Sequence, residues 1–191
     1  MDLEAGNASR QKMMEFKEKE ELWDVYDIHR LKTGRLHPRG ERLGEGEYHL
    51  TVHACIFNSE GKMLIQRRQP FKRGWSGLWD ITVGGSALAG EDSQTAMMRE
   101  LSEEIGLSLD LRSVRPHLSV QFDCGFDDMF LIKKDVDINT LTLEYEEVAE
   151  VRYASLDEIL SMMEDGTFIP YQKHLMALFF DMKERYGALL C

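Results

Sequence analysis

At 191 residues the chain is long enough to bury a sizeable core as one domain with an appendage. Its 23 basic against 34 acidic side chains, a formal net charge of −11, argue against nonspecific binding to nucleic acid or to an anionic membrane. They leave room for a small phosphorylated substrate met by a local cationic pocket. Cys55, Cys124 and Cys191 form no CxxC pair, the first residues lack a cationic start followed by an apolar run, and no run approaches the ~20 apolar residues of a membrane span. Free thiols in a reducing, cytoplasmic compartment are the simplest account.

Residues 1 to 20 are polar and rich in Lys and Glu, suited to a short helix or a loose arm. Leu22 to Asp27 reads as a strand, Lys32-Thr33-Gly34 as a turn into a return strand, and Arg39 to Gly46 as a loop. Two clear strands follow, Tyr48 to Phe57 and Met63 to Arg68, joined by the hairpin chemistry of Asn58-Ser59-Glu60-Gly61. A cationic, aromatic loop carries Lys72, Arg73, Trp75 and Trp79, and Asp80 to Val83 is a short strand leading into a Gly84-Gly85 turn. Beyond position 107, Ser119–Phe122 and Met129–Ile132 read as strands around an Asp123-to-Asp128 turn, and Ala149 to Tyr153 is a last strand. Ser155-Leu156-Asp157-Glu158 is a capping box. Pro170 suits the first turn of a final helix with an apolar stripe of Leu175, Leu178, Phe179, Met182 and Tyr186, which core packing or a dimer face would explain. Strands mixed with a few helices and without βαβ periodicity indicate an α/β fold, an α/β/α sandwich with a mixed β-sheet.

The remaining stretch, Gly85 to Leu107, reads as a loop, a helix dense in carboxylates, and a glycine stop. Asp92 is a good N-cap and Gly106 fits the position just past the helix end. At helical spacing Met97, Met98, Leu101 and Ile105 share one face, while Arg99, Glu100, Glu103 and Glu104 share the other. Glu100 therefore neighbours both Glu103 and Glu104, and such like-charge pairs cost about 0.2–0.5 kcal/mol each on an open surface. A solvated outer face is one reading. The other is a metal site, because Arg99 is the face's single cation and clustered carboxylate oxygens are what Mg²⁺ or Mn²⁺ require.

Gly85, Glu91 and Arg99-Glu100-Leu101-x-Glu103-Glu104-x-Gly106-Leu107 match the Nudix hydrolase signature at every fixed position. The resemblance covers roughly residues 46–186 as a Nudix-type domain, leaving 1–45 as an N-terminal arm with a strand-hairpin extension. It implies a Mg²⁺- or Mn²⁺-dependent pyrophosphohydrolase in which Glu100, Glu103 and Glu104, with a carbonyl of Gly84 or Gly85, hold metal that bridges a diphosphate. It also implies that Arg99 orients the glutamates and that Glu91 anchors Arg99. Either Glu100 or Glu103 would be the general base. Glu147, from the acidic run before the last strand, is either a further metal ligand or part of a solvated loop.

The flanks, Gln66-Arg67-Arg68, Lys72 and Gly77-Leu78-Trp79, resemble the isopentenyl diphosphate isomerase branch of the Nudix fold. There the residues matching Arg68 and Lys72 grip a diphosphate. His49 falls on an isomerase metal-ligand position, with His37 as a second match, although a structural role serves a lone histidine equally well. The chain departs from that branch in carrying Gly84 for the catalytic cysteine, Ser86 for a metal-binding histidine, and Asp127 and Asp128 near the paired glutamates. Without a thiol acid/base, allylic proton transfer has no obvious agent. The expectation is an isomerase-like scaffold with hydrolase chemistry, cleaving a nucleoside diphosphate linked to another moiety or a nucleoside di- or triphosphate. Arg68, Lys72 and Arg73 would hold phosphate, with His49 beside the substrate. Trp75, Trp79 or Phe126 would stack on a base, core packing being the competing role, above all for Trp79. An isomerase and a nucleotide-sensing module without catalysis are the alternatives. Specificity would lie in loops 36–47, 69–78 and 123–128, and the 22–40 segment is suited to pairing in a homodimer.

Overall fold

In the computed structural model, which describes residues 21–187 and 189, the first two strands are an antiparallel pair, β1 (Leu22–Tyr26) and β2 (Lys32–Pro38). The arm expected over residues 1–20 and the thiol of Cys191 lie outside the described residues. The turn between the strands is not Lys32-Thr33-Gly34, which lies inside β2, but Asp27–Leu31. Asp27 Oδ1 accepts from the backbone N–H groups of His29 and Leu31, both at 2.9 Å. This local bonding by an aspartate closes the chain earlier than a glycine would.

The main sheet holds β3 (His49–Phe57), β4 (Met63–Arg68), β5 (Trp79–Asp80), β6 (Val83–Ser86), β7 (Leu118–Phe122), β8 (Gly125–Lys133) and β9 (Val148–Ala154). Its path is β5-β4-β3-β8-β7, with β6 also pairing β3 and β9 also pairing β4. Only β3 and β8 run parallel, in a register from His49↔Gly125 to Phe57↔Lys133, so the sheet is mixed. Three α-helices are described: α1 (Ser93–Ile105), α2 (Leu156–Glu164) and α3 (Lys173–Met182). The period-two alternation of β3 divides the core. Val52, Ala54 and Ile56 pack with Met97, Leu101 and Ile105 of α1, whereas Cys55 and Phe57 pack with Ile159 of α2 and Phe179 of α3. Helices therefore cover both faces, as the α/β/α expectation requires.

Three expected elements are displaced. The Asp80-to-Val83 strand is two strands broken at Ile81-Thr82, and Gly84-Gly85 is not a turn but part of β6, paired with His53 and Val52. Thr82 causes the break: its hydroxyl accepts from Ile56 N–H at 2.9 Å and donates to the Leu64 carbonyl, substituting for ladder bonds. The Asp123-to-Asp128 turn shrinks to Asp123-Cys124, and Asp127 and Asp128 belong to β8. Pro170 precedes the final helix, whose N-cap is Gln172. The segment before it stays extended along the sheet, with Ile169 N–H bonded to the Trp79 carbonyl at 2.9 Å. In α3 Phe179 of the expected stripe is buried, and Leu175 and Met182 pack partly buried against the same core. Leu178 is exposed, Tyr186 lies beyond the helix, and Met176 and Phe180 are buried instead. Phe180 widens the buried face by packing edge-on against Phe57, centroids 5.0 Å apart.

Candidate active site

Helix α1 begins and ends where its caps dictate. Asp92 Oδ1 accepts the Thr95 N–H at 2.8 Å, and Gly106 takes φ 67° while Leu107 N–H returns to the Leu101 carbonyl at 2.9 Å. With Met97, Leu101 and Ile105 driven into the sheet, Glu100 and Glu104 fall at its margin and are buried, whereas the Glu103 side chain is largely exposed. The carboxylate face is thus split, half of it in contact with β6. The absence of a side chain at Gly85 makes that contact: a Cβ there would lie 2.1 Å from Glu100 Oε1. At Gly84 the space is filled instead by His53, whose Cδ2 would be 2.1 Å from an added Cβ.

Arg99 joins the acidic residues. It donates from Nε to Glu91 Oε1 at 2.8 Å and from Nη2 to Glu91 Oε2 and the Ser86 carbonyl, each at 3.0 Å. Its Nη1 donates to Glu100 Oε1 at 2.8 Å and to Glu103 Oε2 at 3.0 Å. Glu91 is itself fixed by the Leu88 N–H at 2.8 Å. Glu104 has a different partner, Gln66, whose Nε2 donates to Oε2 at 2.9 Å.

Burial and the charge of Glu100 push the Glu104 carboxyl up to about 8, and burial also raises Glu100 although Arg99 opposes it. Arg99 meets Glu100, but among the described residues no positive charge is paired with Glu104. A divalent cation would supply it, and the donors are the hard oxygens that Mg²⁺ and Mn²⁺ prefer, so the residues present fit such an ion. Among the described residues no group of His, Cys, Asp or Glu side chains is already gathered around one point. Glu100 and Glu103 turn to Arg99, and Glu104 turns to Gln66.

One cavity of 470 Å³ is lined by Gly84, Arg99 and all three glutamates together with Arg68 and Lys72. Glu147 is at its rim and accepts from Lys72 Nζ at 2.5 Å. Arg73 lines an adjoining cavity instead. His49 lies elsewhere, buried and stacked on Trp23 with centroids 4.1 Å apart, in a separate cavity where burial holds its pKa down to about 4. None of the three aromatic residues expected to stack on a base lines the carboxylate cavity. Trp75 is exposed, Trp79 packs under the Arg152 guanidinium against the core on the α2 and α3 side, and Phe126 is buried in the core on the α1 side. Asp127 pairs with His53 Nδ1 at 2.7 Å, and Asp128 is buried beneath Arg30, Ser93 and Ser119.

Two residues at the site have no site role assigned from sequence: Gln66, which bonds Glu104, and Arg39, which lines the cavity. Gln66 was legible in principle, since it alternates with Leu64 on the α1 face of β4. Arg39 comes from the loop after β2 and lowers the Glu100 pKa by its charge, a placement that only the folded chain reveals.

The NUDIX domain family model matches residues 47–179. An uncharacterised Nudix hydrolase of Listeria monocytogenes is 48% identical over 151 residues, 79% of this chain and 89% of its own. An isopentenyl-diphosphate Delta-isomerase of Salmonella arizonae is 28% identical over 120 residues, 59% of this chain and 64% of its own. Among solved structures, a Deinococcus radiodurans protein superposes with a TM-score of 0.67 at 22% identity, covering 83% of this chain and 97% of its own, a likeness of fold alone. With the family's domain spanning well over half of its length and a relative this similar, the chain belongs to the Nudix hydrolase family, enzymes that act on phosphoanhydride bonds and generally depend on a divalent metal.

Proposed function

We propose that this chain is a Mg²⁺- or Mn²⁺-dependent pyrophosphohydrolase that cleaves a nucleoside diphosphate linked to another moiety, or a nucleoside di- or triphosphate, by water attack at phosphorus. The observation that carries the reading is the buried pair Glu100 and Glu104 sharing one cavity with Arg68 and Lys72. Glu100, Glu103, Glu104 and the Gly84 carbonyl are the groups that would hold the metal. When bound, it offsets charge developing on the phosphoryl oxygens and lowers the pKa of the attacking water. Arg68 lines the cavity with its guanidinium only loosely paired, Nη1 to Asp80 Oδ2 at 3.7 Å, which leaves it donors to offer phosphate. Lys72 is held at the rim by Glu147, which a diphosphate oxygen could displace. Arg99, clamped by Glu91, fixes the direction of Glu100 and Glu103 and leaves the general base to one of them.

The cationic flank supports an isomerase-like scaffold, but position 84 speaks against isomerase chemistry. Any side chain there, a cysteine included, would run into the His53 ring. We therefore assign hydrolysis.

Glu104→Gln should lower metal-dependent turnover by on the order of 100-fold or more. The metal-free thermal midpoint should not fall, because the substitution removes a buried carboxylate that repels Glu100. The assay is a Mg²⁺- or Mn²⁺-supplemented screen across nucleoside di- and triphosphates, nucleotide sugars, ADP-ribose, dinucleoside polyphosphates and isoprenoid diphosphates. A variant as active as the parent on its best substrate would refute the assignment.

A further inference from the structure

The carboxylate cavity adjoins a second one of 690 Å³, and the two share Arg39, Arg68, Lys72, Glu146 and Glu147. What the second adds is Phe71, Arg73 and Tyr145. Phe71 is 57% exposed and Tyr145 73% exposed, and neither belongs to either core cluster. Their rings nevertheless meet, centroids 5.8 Å apart and planes tilted by 41°. They come from separate loops, 69–78 between β4 and β5 and 141–147 before β9, so their meeting needs a cause. Gln69 supplies it. Its backbone N–H bonds to the Glu147 carbonyl at 3.1 Å and its side chain to the Val148 carbonyl at 3.3 Å, and the residue is buried. The Lys72–Glu147 pair ties the same two loops beside it.

The fold thus holds two large aromatic faces in water, next to the cations expected to grip phosphate. That arrangement is costly for a surface and useful for a ligand, because aromatic faces recognise flat rings by stacking. The walls around them are charged rather than apolar, which suits the polar edges of a heterocycle and not a hydrocarbon chain. Building on the hydrolase reading above, we propose that Phe71 and Tyr145 form the platform on which the base of a nucleoside diphosphate substrate stacks while its phosphates extend past Lys72 and Arg68 to the carboxylates. The pair takes the role that Trp75, Trp79 and Phe126 were expected to fill. It makes the substrate class nucleosidic, and it makes loop 141–147 a specificity loop alongside 69–78.

The test compares two non-hydrolysable probes by calorimetry in Mg²⁺: α,β-methylene-ADP, which carries a base, and methylenediphosphonate, which does not. Stacking on an aromatic side chain is worth about 10- to 100-fold in affinity. The parent protein should prefer the nucleotide probe by that factor. Phe71→Ala and Tyr145→Ala should each erase most of the preference without changing methylenediphosphonate affinity more than about twofold, while Tyr145→Phe should retain it. Equal affinity of the parent for both probes, or an undiminished preference in both alanine variants, overturns the platform. A parallel fall for both probes does so too, since it would mean the pair merely supports the phosphate site. Because the readout is binding, it separates from the hydrolase reading, which fails instead if the parent cleaves no phosphoanhydride.

Discussion

Glu104 and His49 are both buried, yet burial drives their pKa values apart, the carboxyl up to about 8 and the imidazole down to about 4. In each case the neutral form is favoured, but the consequences for stability run in opposite directions with pH. His49 is neutral in the fold at a pH where the unfolded chain, with its ordinary value of 6.5, takes up a proton. Its contribution is therefore complete above pH 6.5 and is lost as pH falls from 6.5 towards 4, by up to about 2–3 kcal/mol. Glu104 destabilises the fold progressively as pH rises from its ordinary 4.5 towards 8, which is why Glu104→Gln should gain most in alkaline, metal-free buffer. His49→Asn isolates the first effect. Urea unfolding at pH 7 and pH 4.5 should show the parent losing about 2 kcal/mol more than the variant across that interval. Parallel losses would mean that His49 is as free to take up protons in the fold as in the unfolded chain.

Strand β6 and helix α1 meet through two adjacent glycines that resist substitution for different reasons. A methyl group at Gly85 meets the far end of the Glu100 side chain, which can yield by loosening its bond to Arg99, so Gly85→Ala should cost about 1 kcal/mol of stability. Turnover should still fall more than about tenfold, because Glu100 leaves its position. A methyl group at Gly84 meets the His53 ring, including Cγ at 3.0 Å, and that ring is held by Asp127, so Gly84→Ala should cost about 1–3 kcal/mol. Chemical denaturation and turnover on the same two variants check the contrast. If both lose stability equally, the flexible and rigid neighbours do not differ as described. The helix side of this contact was legible in the sequence. Asp92, Gly106 and the Met97-Leu101-Ile105 face act within one or two turns, and local rules suffice for such features. The strand side was not. The break at Thr82 comes from a hydroxyl that bonds two residues of other strands, and the burial of Phe180 on α3 from its meeting with Phe57, contacts with no local signature.

At the scale of the molecule, a chain of net charge −11 gathers Arg39, Arg68 and Lys72 at one cavity, and Arg39 comes from beyond the family's matched residues. The segment that carries it is fastened to the sheet. Tyr26 and Tyr48 exchange backbone bonds at 2.7 and 3.0 Å, and Trp23, Val25 and Tyr26 are buried. Arg30 adds an ion pair to Asp128, a carboxylate almost wholly buried that also accepts from Ser93 at the start of α1 and Ser119 of β7. Its sequence neighbour Asp127 suggested a ligand pair, but alternation along β8 sends the two to different partners, so charge pattern alone could not reveal Asp128 as a fastening point. Removing Arg30 leaves that carboxylate with hydroxyl donors only, and Arg30→Ala should cost about 2 kcal/mol. Asp128→Asn removes the uncompensated charge while keeping an acceptor, so Arg30→Ala with Asp128→Asn should be more stable than Arg30→Ala alone. A double-mutant cycle by urea unfolding measures the coupling, expected at about 1–2 kcal/mol. Additive losses would place the fastening of the segment in its backbone bonds and the burial of Trp23, Val25 and Tyr26 rather than in this ion pair.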